Sequence, residues 1–195
     1  MSIVFNKREP QAHVDPIFLD RWSPRALSRE PVPESMIESL FEAARWAPSC
    51  YNEQPWLFIY AATEEDLSLY RPLLVEGNRQ WADNAPVLAF ALARKNFARN
   101  NKPNDWAAFD TGAAWMSLAL QARRLGLYAH AMAGILKDKV YEVLNIPRDE
   151  YEVICAIAIG RYGDPSQLPA SLKSSEIPNK RKSLNEVAVQ GKFSD

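Results

Sequence analysis

The sequence predicts one α+β domain, a sandwich in which helices cover a sheet. Three observations lead there. Helical and strand patterns alternate irregularly along the chain. No glycine-rich loop follows the first strand, as a doubly wound nucleotide-binding sheet would require. The apolar runs at 56–62 and 85–95 lack clean alternation, which suits strands covered on both faces. A length of 195 residues suits one domain, 1–195, with an N-terminal arm over 1–20 and a C-terminal arm over 169–195.

Each element has its own signal. The arm 1–20 is expected to end in a short helix. In "EPVPESMIESLFEAARWAPS", Met36, Ile37, Leu40, Phe41 and Ala44 share one face at i, i+3, i+4 spacing. Pro33 suits the start of that helix and Pro48 stops it. "WLFIYAA" and "APVLAFALARK" read as buried strands, with the polar-faced helix "TEEDLSLYRPLL" between them. "NFARNNKPND" is a polar loop. From Trp106 to Leu125 runs the longest helix, apolar nearly all round until Arg123 and Arg124, which places it centrally or at a subunit interface. Gly126 caps it. "LYAHAMAG" is a short strand and turn, "KDKVYEVLNI" a small helix, and "YEVICAIAIGRYG" the strongest strand. After Leu168 the chain turns polar and basic. Such a tail is ordinarily disordered unless it docks.

Composition excludes several classes. A net charge of −1 gives no general attraction to nucleic acid or to an anionic membrane. No apolar stretch is long enough to span a bilayer. "MSIVFNKREPQAHVD" has no signal-peptide core, so a cytoplasmic location is expected. Cys50 and Cys155 form no CxxC pair and are expected as reduced thiols. His13 and His130, the two histidines, have no ligand-spaced partners, which argues against a metal site. A nucleophile built from Ser49 or Cys50 with His130 lacks any visible oxyanion hole.

Two stretches carry binding chemistry. In "DRWSPRALSRE", Arg21, Ser23 and Arg25 alternate, so an extended chain would aim two guanidiniums and a hydroxyl at one anion. The same residues also suit a solvated basic segment. In "WAPSCYNEQPW", Asn52 and Gln54 carry amides that donate and accept together, suited to the edge of a flat heterocycle. A turn in which Asn52 satisfies local backbone reads equally well.

Four stretches together resemble the FMN-dependent nitroreductase family: "RWSPR", "AARWAPSCYNEQPWLF", "DTGAAWMSLALQARRLGLYAHAMAG", and "AIAIGRYGD" followed by "KRKSLNEV". The second is specific, and R-x-S-x-R alone is weak. The resemblance implies a mainly antiparallel sheet flanked by helices and a homodimer whose C-terminal arms are exchanged, with FMN at the interface. It implies that Arg21, Trp22 (through its backbone), Ser23 and Arg25 contact the phosphate, ribityl chain and ring edge. Arg181, with Lys180 beside it, would complete the phosphate clamp. Pro48, Ser49 and Asn52 would approach from the other subunit, with Gln54 bracing their loop. Asn78 would face the pyrimidine ring, and Ala133 and Gly134 would lie beside flavin N5. No side-chain acid or base is required, and no catalytic residue is assigned.

The implied activity is ping-pong hydride transfer from NADH or NADPH through FMN to flat small-molecule acceptors such as nitroaromatics or quinones. An FMN-binding protein without turnover, acting as a flavin store or sensor, is the alternative, and a cofactorless interaction domain a third reading. The chain departs from the family at Cys50, Ala133, Ile135 and the short loop 94–105. A short loop there implies an open pocket.

Overall fold

The computed structural model describes residues 6–193. The elements are α1 (Pro16–Asp20), α2 (Glu34–Arg45), β1 (Trp56–Ala61), α3 (Glu64–Tyr70), α4 (Glu76–Ala82), β2 (Val87–Arg94), α5 (Ala107–Arg124), β3 (Tyr128–Met132), α6 (Lys137–Val143) and β4 (Tyr151–Gly160). Two short helices follow, α7 (Ala170–Lys173) and α8 (Leu184–Val187). The strands form one sheet in the order β1-β2-β4-β3, with every pairing antiparallel. The expected α+β sandwich is therefore observed. The outermost ends of both arms, 1–5 and 194–195, lie outside the described residues.

The sheet has a core on each face. Leu88, Phe90 and Leu92 of β2 point to one side, where α3, α4, α6 and the segment from Trp22 to Leu27 pack. Val87, Ala89 and Ala91 point to the other, against α2 and α5. Alanines on that face let Ala114, Leu118, Ala119 and Ala122 of α5 approach closely, so the helix sits flat on the sheet. Gly126 adopts φ +75°, and Leu127 N–H donates to Ala122 C=O, which closes α5 as expected.

Three expectations need correction. β1 is an edge strand paired only with β2, and Leu57 and Tyr60 on it are exposed, so its faces are not both covered. α2 ends at Arg45 rather than running to Pro48, because the N–H groups of Trp46 and Ala47 bond back three residues, to Ala43 and Ala44, and tighten the last turn before the proline. The tail does not leave the domain at Leu168: that residue is buried, Leu172 packs on the core, and Glu176 is 5% exposed. Helix α4 went unanticipated, since "EGNRQWA" buries only Trp81 and Ala82 and contains a glycine.

Candidate functional site

The segment 21–25 is extended as its alternation suggested. Trp22 and Pro24 are buried, and Arg21, Ser23 and Arg25 turn outward. The Trp22 indole packs against Tyr128 and Tyr162, which commits its side chain to the core and leaves only its backbone for a ligand. Glu176 holds the end of the segment. Its carboxylate accepts from the N–H of Arg25 (2.9 Å) and Ala26 (2.8 Å). Below lies His130 of β3, stacked on Trp81 of α4 at 4.5 Å. Its Nδ1 lies 2.9 Å from the Pro24 carbonyl, which can only accept, so Nδ1 carries the proton. Burial, reinforced by the charges of Arg25 and Arg21, pushes His130 down to about 4. It is therefore a neutral support at ordinary pH.

Arginine charge gathers beside this segment. Arg8, Arg21 and Arg181 lie near enough to act on one another. The Arg21 pKa is lowered by burial and then by Arg181, and Arg8 is lowered by burial, Arg181 and Arg21. Arg21 reaches the Ser23 hydroxyl at 3.5 Å, and Arg181 donates to the carbonyl of Lys180 at 3.0 Å. None of these arginines has a carboxylate within ion-pair distance among the described residues. Lys180 is exposed beside them. Positive charge gathered without paired carboxylates suits an anion.

A second group of contacts surrounds the turn after β3. Asn78 Nδ2 donates to the Gly134 carbonyl at 2.9 Å, and the Val75 N–H donates to the same oxygen at 3.1 Å. The fit is tight: a Cβ on Gly134 would lie 2.5 Å from Asn78 Nδ2. Asn78 thus braces the turn. The Gly134 N–H has no partner among the described residues, and Ala133 is exposed beside it.

Pro48, Ser49 and Asn52 are elsewhere. Their loop places Tyr51, Asn52 and Gln54 at φ of 54°, 58° and 51°, three left-handed non-glycine residues interrupted by the right-handed Glu53, which stores strain. The loop is held by the Ser49 hydroxyl accepting from Gln54 N–H (2.9 Å), by Gln54 Nε2 donating to the Asn52 carbonyl (2.9 Å), and by buried Asp110 accepting from Cys50 N–H (3.0 Å). Gln54 braces the loop, as expected. Asp110 lies in the first turn of α5. Arg123, in the last turn, bonds Asp20 next to Arg21 at 2.6 Å. The rise of α5 between Asp110 and Arg123 is about 20 Å. The two candidate groups are therefore anchored at opposite ends of the longest helix.

Loop 96–104 docks on the loop that carries Tyr51 and Glu53. The Ala98 N–H donates to Glu53, Phe97 meets Tyr51 edge-on at 6.2 Å, and Arg99 lies 3.9 Å over the Tyr51 ring. A cleft of about 390 Å³ opens beside it, lined by residues including Arg94, Asn96, Phe97 and Glu150. Large apolar side chains are exposed at this end of the molecule: Trp46, Tyr51, Trp106 and Phe109. In the tail, Leu184, Val187, Val189 and Phe193 are exposed as well.

The family model described as "Nitroreductase family" matches residues 19–76 and 64–161. The chain belongs to the nitroreductase family. Among solved structures, an oxidoreductase containing FMN is 46% identical, covers 97% of each chain and superposes with a TM-score of 0.92. A provisionally assigned nitroreductase from Exiguobacterium sibiricum 255-15, in complex with FMN, shares the fold at 21% identity, with a TM-score of 0.76 over 94% of this chain and all of that one. A Stenotrophomonas maltophilia (strain K279a) protein with the provisional name NADH dehydrogenase/NAD(P)H nitroreductase is 29% identical over 80% of this chain and 88% of its own length.

Sequence reasoning missed Arg8, Asp110 and Glu176. Asp110 had a signal, as an acid buried in an otherwise apolar helix. Arg8 and Glu176 had none, because each acts across more than a hundred residues of chain. Among the described residues no helix is long and apolar enough to cross a membrane, and both cysteines are free.

Proposed function

We propose that this nitroreductase family member is a cytoplasmic homodimeric enzyme that carries hydride from NADH or NADPH, through FMN, to flat acceptors such as nitroaromatics or quinones in ping-pong turnover. FMN, when bound, supplies the redox chemistry. The observation that carries the reading is the cluster of arginines without carboxylate partners beside the 21–25 segment, together with the braced Asn78–Gly134 turn after β3. These residues suit FMN: charge for its phosphate, Ser23 for its polar chain, and backbone and amide groups for its ring.

Arg21 and Arg181, with Lys180 beside them, hold the phosphate. Arg25 would favour negative charge developing on the bound flavin, and the Gly134 N–H, without a partner among the described residues, would serve it as a donor. Asn78 fixes that turn so the donor needs no reorganisation. Pro48, Ser49 and Asn52 come from the second copy. This is supported by the length of α5, which separates them from Arg21, and by the apolar side chains exposed around their loop. The exposed apolar tail suits an arm laid across the partner. No side chain is assigned as acid or base.

The test is a visible spectrum of purified protein supplied with FMN, then titrated anaerobically with NADH and NADPH. Expected is a yellow dimer that bleaches and regains colour with a quinone or nitroaromatic. Arg21→Ala and Arg181→Ala should each weaken FMN binding by about 1.5–3 kcal/mol. A monomer that takes up no FMN overturns the reading. A yellow protein that no nicotinamide bleaches is a flavin store.

A further inference from the structure

We propose that Arg8 is a third phosphate-binding residue, completing with Arg21 and Arg181 a dianion seat assembled from both ends of the chain. The inference rests on the FMN reading above. Nothing in "NKREP" marks Arg8, and the structure places it. Its Nε donates to the Asn179 carbonyl at 2.8 Å, and its Nη1 donates to the carbonyls of Leu19 (3.0 Å) and Arg21 (2.9 Å). The guanidinium therefore sits between the backbone that carries Arg21 and the backbone that carries Arg181.

Neutral carbonyls orient a guanidinium without cancelling its charge. The acid that acts on Arg8 is Asp20, and that carboxylate is engaged by Arg123 at 2.6 Å. Arg8 and Arg21 are half-buried and Arg181 stands exposed beside them, and three like charges so gathered repel one another unless an anion joins them. The Arg8 Nη2 donors make no hydrogen bond among the described residues. A phosphate monoester, with about −1.5 to −2 charge at neutral pH and three acceptor oxygens, matches both the charge and the open donors. A second tie joins the same segments: the Leu184 N–H donates to Gln11 at 2.5 Å. Filling the seat thus also draws the chain's two ends together.

The experiment compares FMN with riboflavin, which lacks the phosphate, by quenching of flavin fluorescence in the dimer. Arg8→Ala should raise the FMN Kd about 10- to 100-fold, the scale of one charge-assisted bond, and leave the riboflavin Kd within about two-fold. Arg8→Lys, which keeps charge but cannot bridge the carbonyls, should fall between. Inorganic phosphate should raise the melting temperature of the wild type and not of Arg8→Ala. Equal loss for both flavins makes Arg8 a mere tie between the termini and overturns the proposal. Unchanged FMN affinity also overturns it. A wild type that binds neither flavin, yet is stabilised by phosphate only when Arg8 is present, sinks the FMN reading and supports the seat.

Discussion

Gly134→Ala tests the tightest contact in the candidate site. The added Cβ would lie 2.5 Å from Asn78 Nδ2 and 2.7 Å from Val75 Cγ2, closer than side chains tolerate. Something must move. Asn78 is the easier group to displace, and its displacement breaks its bond to the Gly134 carbonyl. Overpacking costs about 1–3 kcal/mol and the lost hydrogen bond about 1 kcal/mol, so a total of about 2–4 kcal/mol is expected. For a domain of this size that lowers Tm by about 5–15 °C. The assay is thermal unfolding of the wild type, Gly134→Ala, Asn78→Ala and the double variant. With Asn78 truncated, the new methyl has room against that residue and only Val75 resists. The Gly134→Ala penalty should then fall by about half, a non-additive cycle. A single variant that melts with the wild type, or a strictly additive cycle, refutes the account of Asn78 as the brace of this turn.

Two further outcomes concern the supports beneath the 21–26 segment. Glu176→Ala leaves the N–H groups of Arg25 and Ala26 unpaired and should cost about 2–4 kcal/mol in denaturant melts, with faster proteolysis after Leu168. Glu176→Gln, which keeps one acceptor, should lose about half as much. His130 is depressed to about 4 when folded and titrates near 6.5 when unfolded, so the unfolded chain binds its proton first. Its contribution is intact above about pH 6.5 and is lost as pH falls toward 4. Between pH 7.5 and 4.5 the wild type should lose about 2.5 kcal/mol more than His130→Gln. Parallel pH profiles for the two proteins would contradict this.

The sheet and the longest helix were legible because each announces itself locally. β2 is apolar at nearly every position, and α5 combines a long apolar pattern with a glycine cap. The outward alternation of Arg21, Ser23 and Arg25 was also legible, because period two survives wherever a chain is extended. Helix α4 was not, since its burial comes from Trp81 under His130, a tertiary contact with no spacing signature. Arg8 and Glu176 were hidden for the same reason: they bond backbone distant in sequence, and backbone looks alike everywhere. The tail's docking also lay outside pattern reasoning. Its buried anchors, Leu168 and Glu176, sit singly within a polar segment.

Helix α5 is clamped at both extremities, by Asp110 to one loop and by Arg123 to the strip beside Arg21. It behaves as a spar of fixed length. In the proposed pair of subunits, each flavin chamber borrows one wall from either copy, so injuries combine crosswise. A copy without Arg21 and a copy without Asn52, mated together, would rebuild one wholly sound chamber and leave its twin doubly broken. Two disabled genes in one cell would then restore up to half the output of a healthy one.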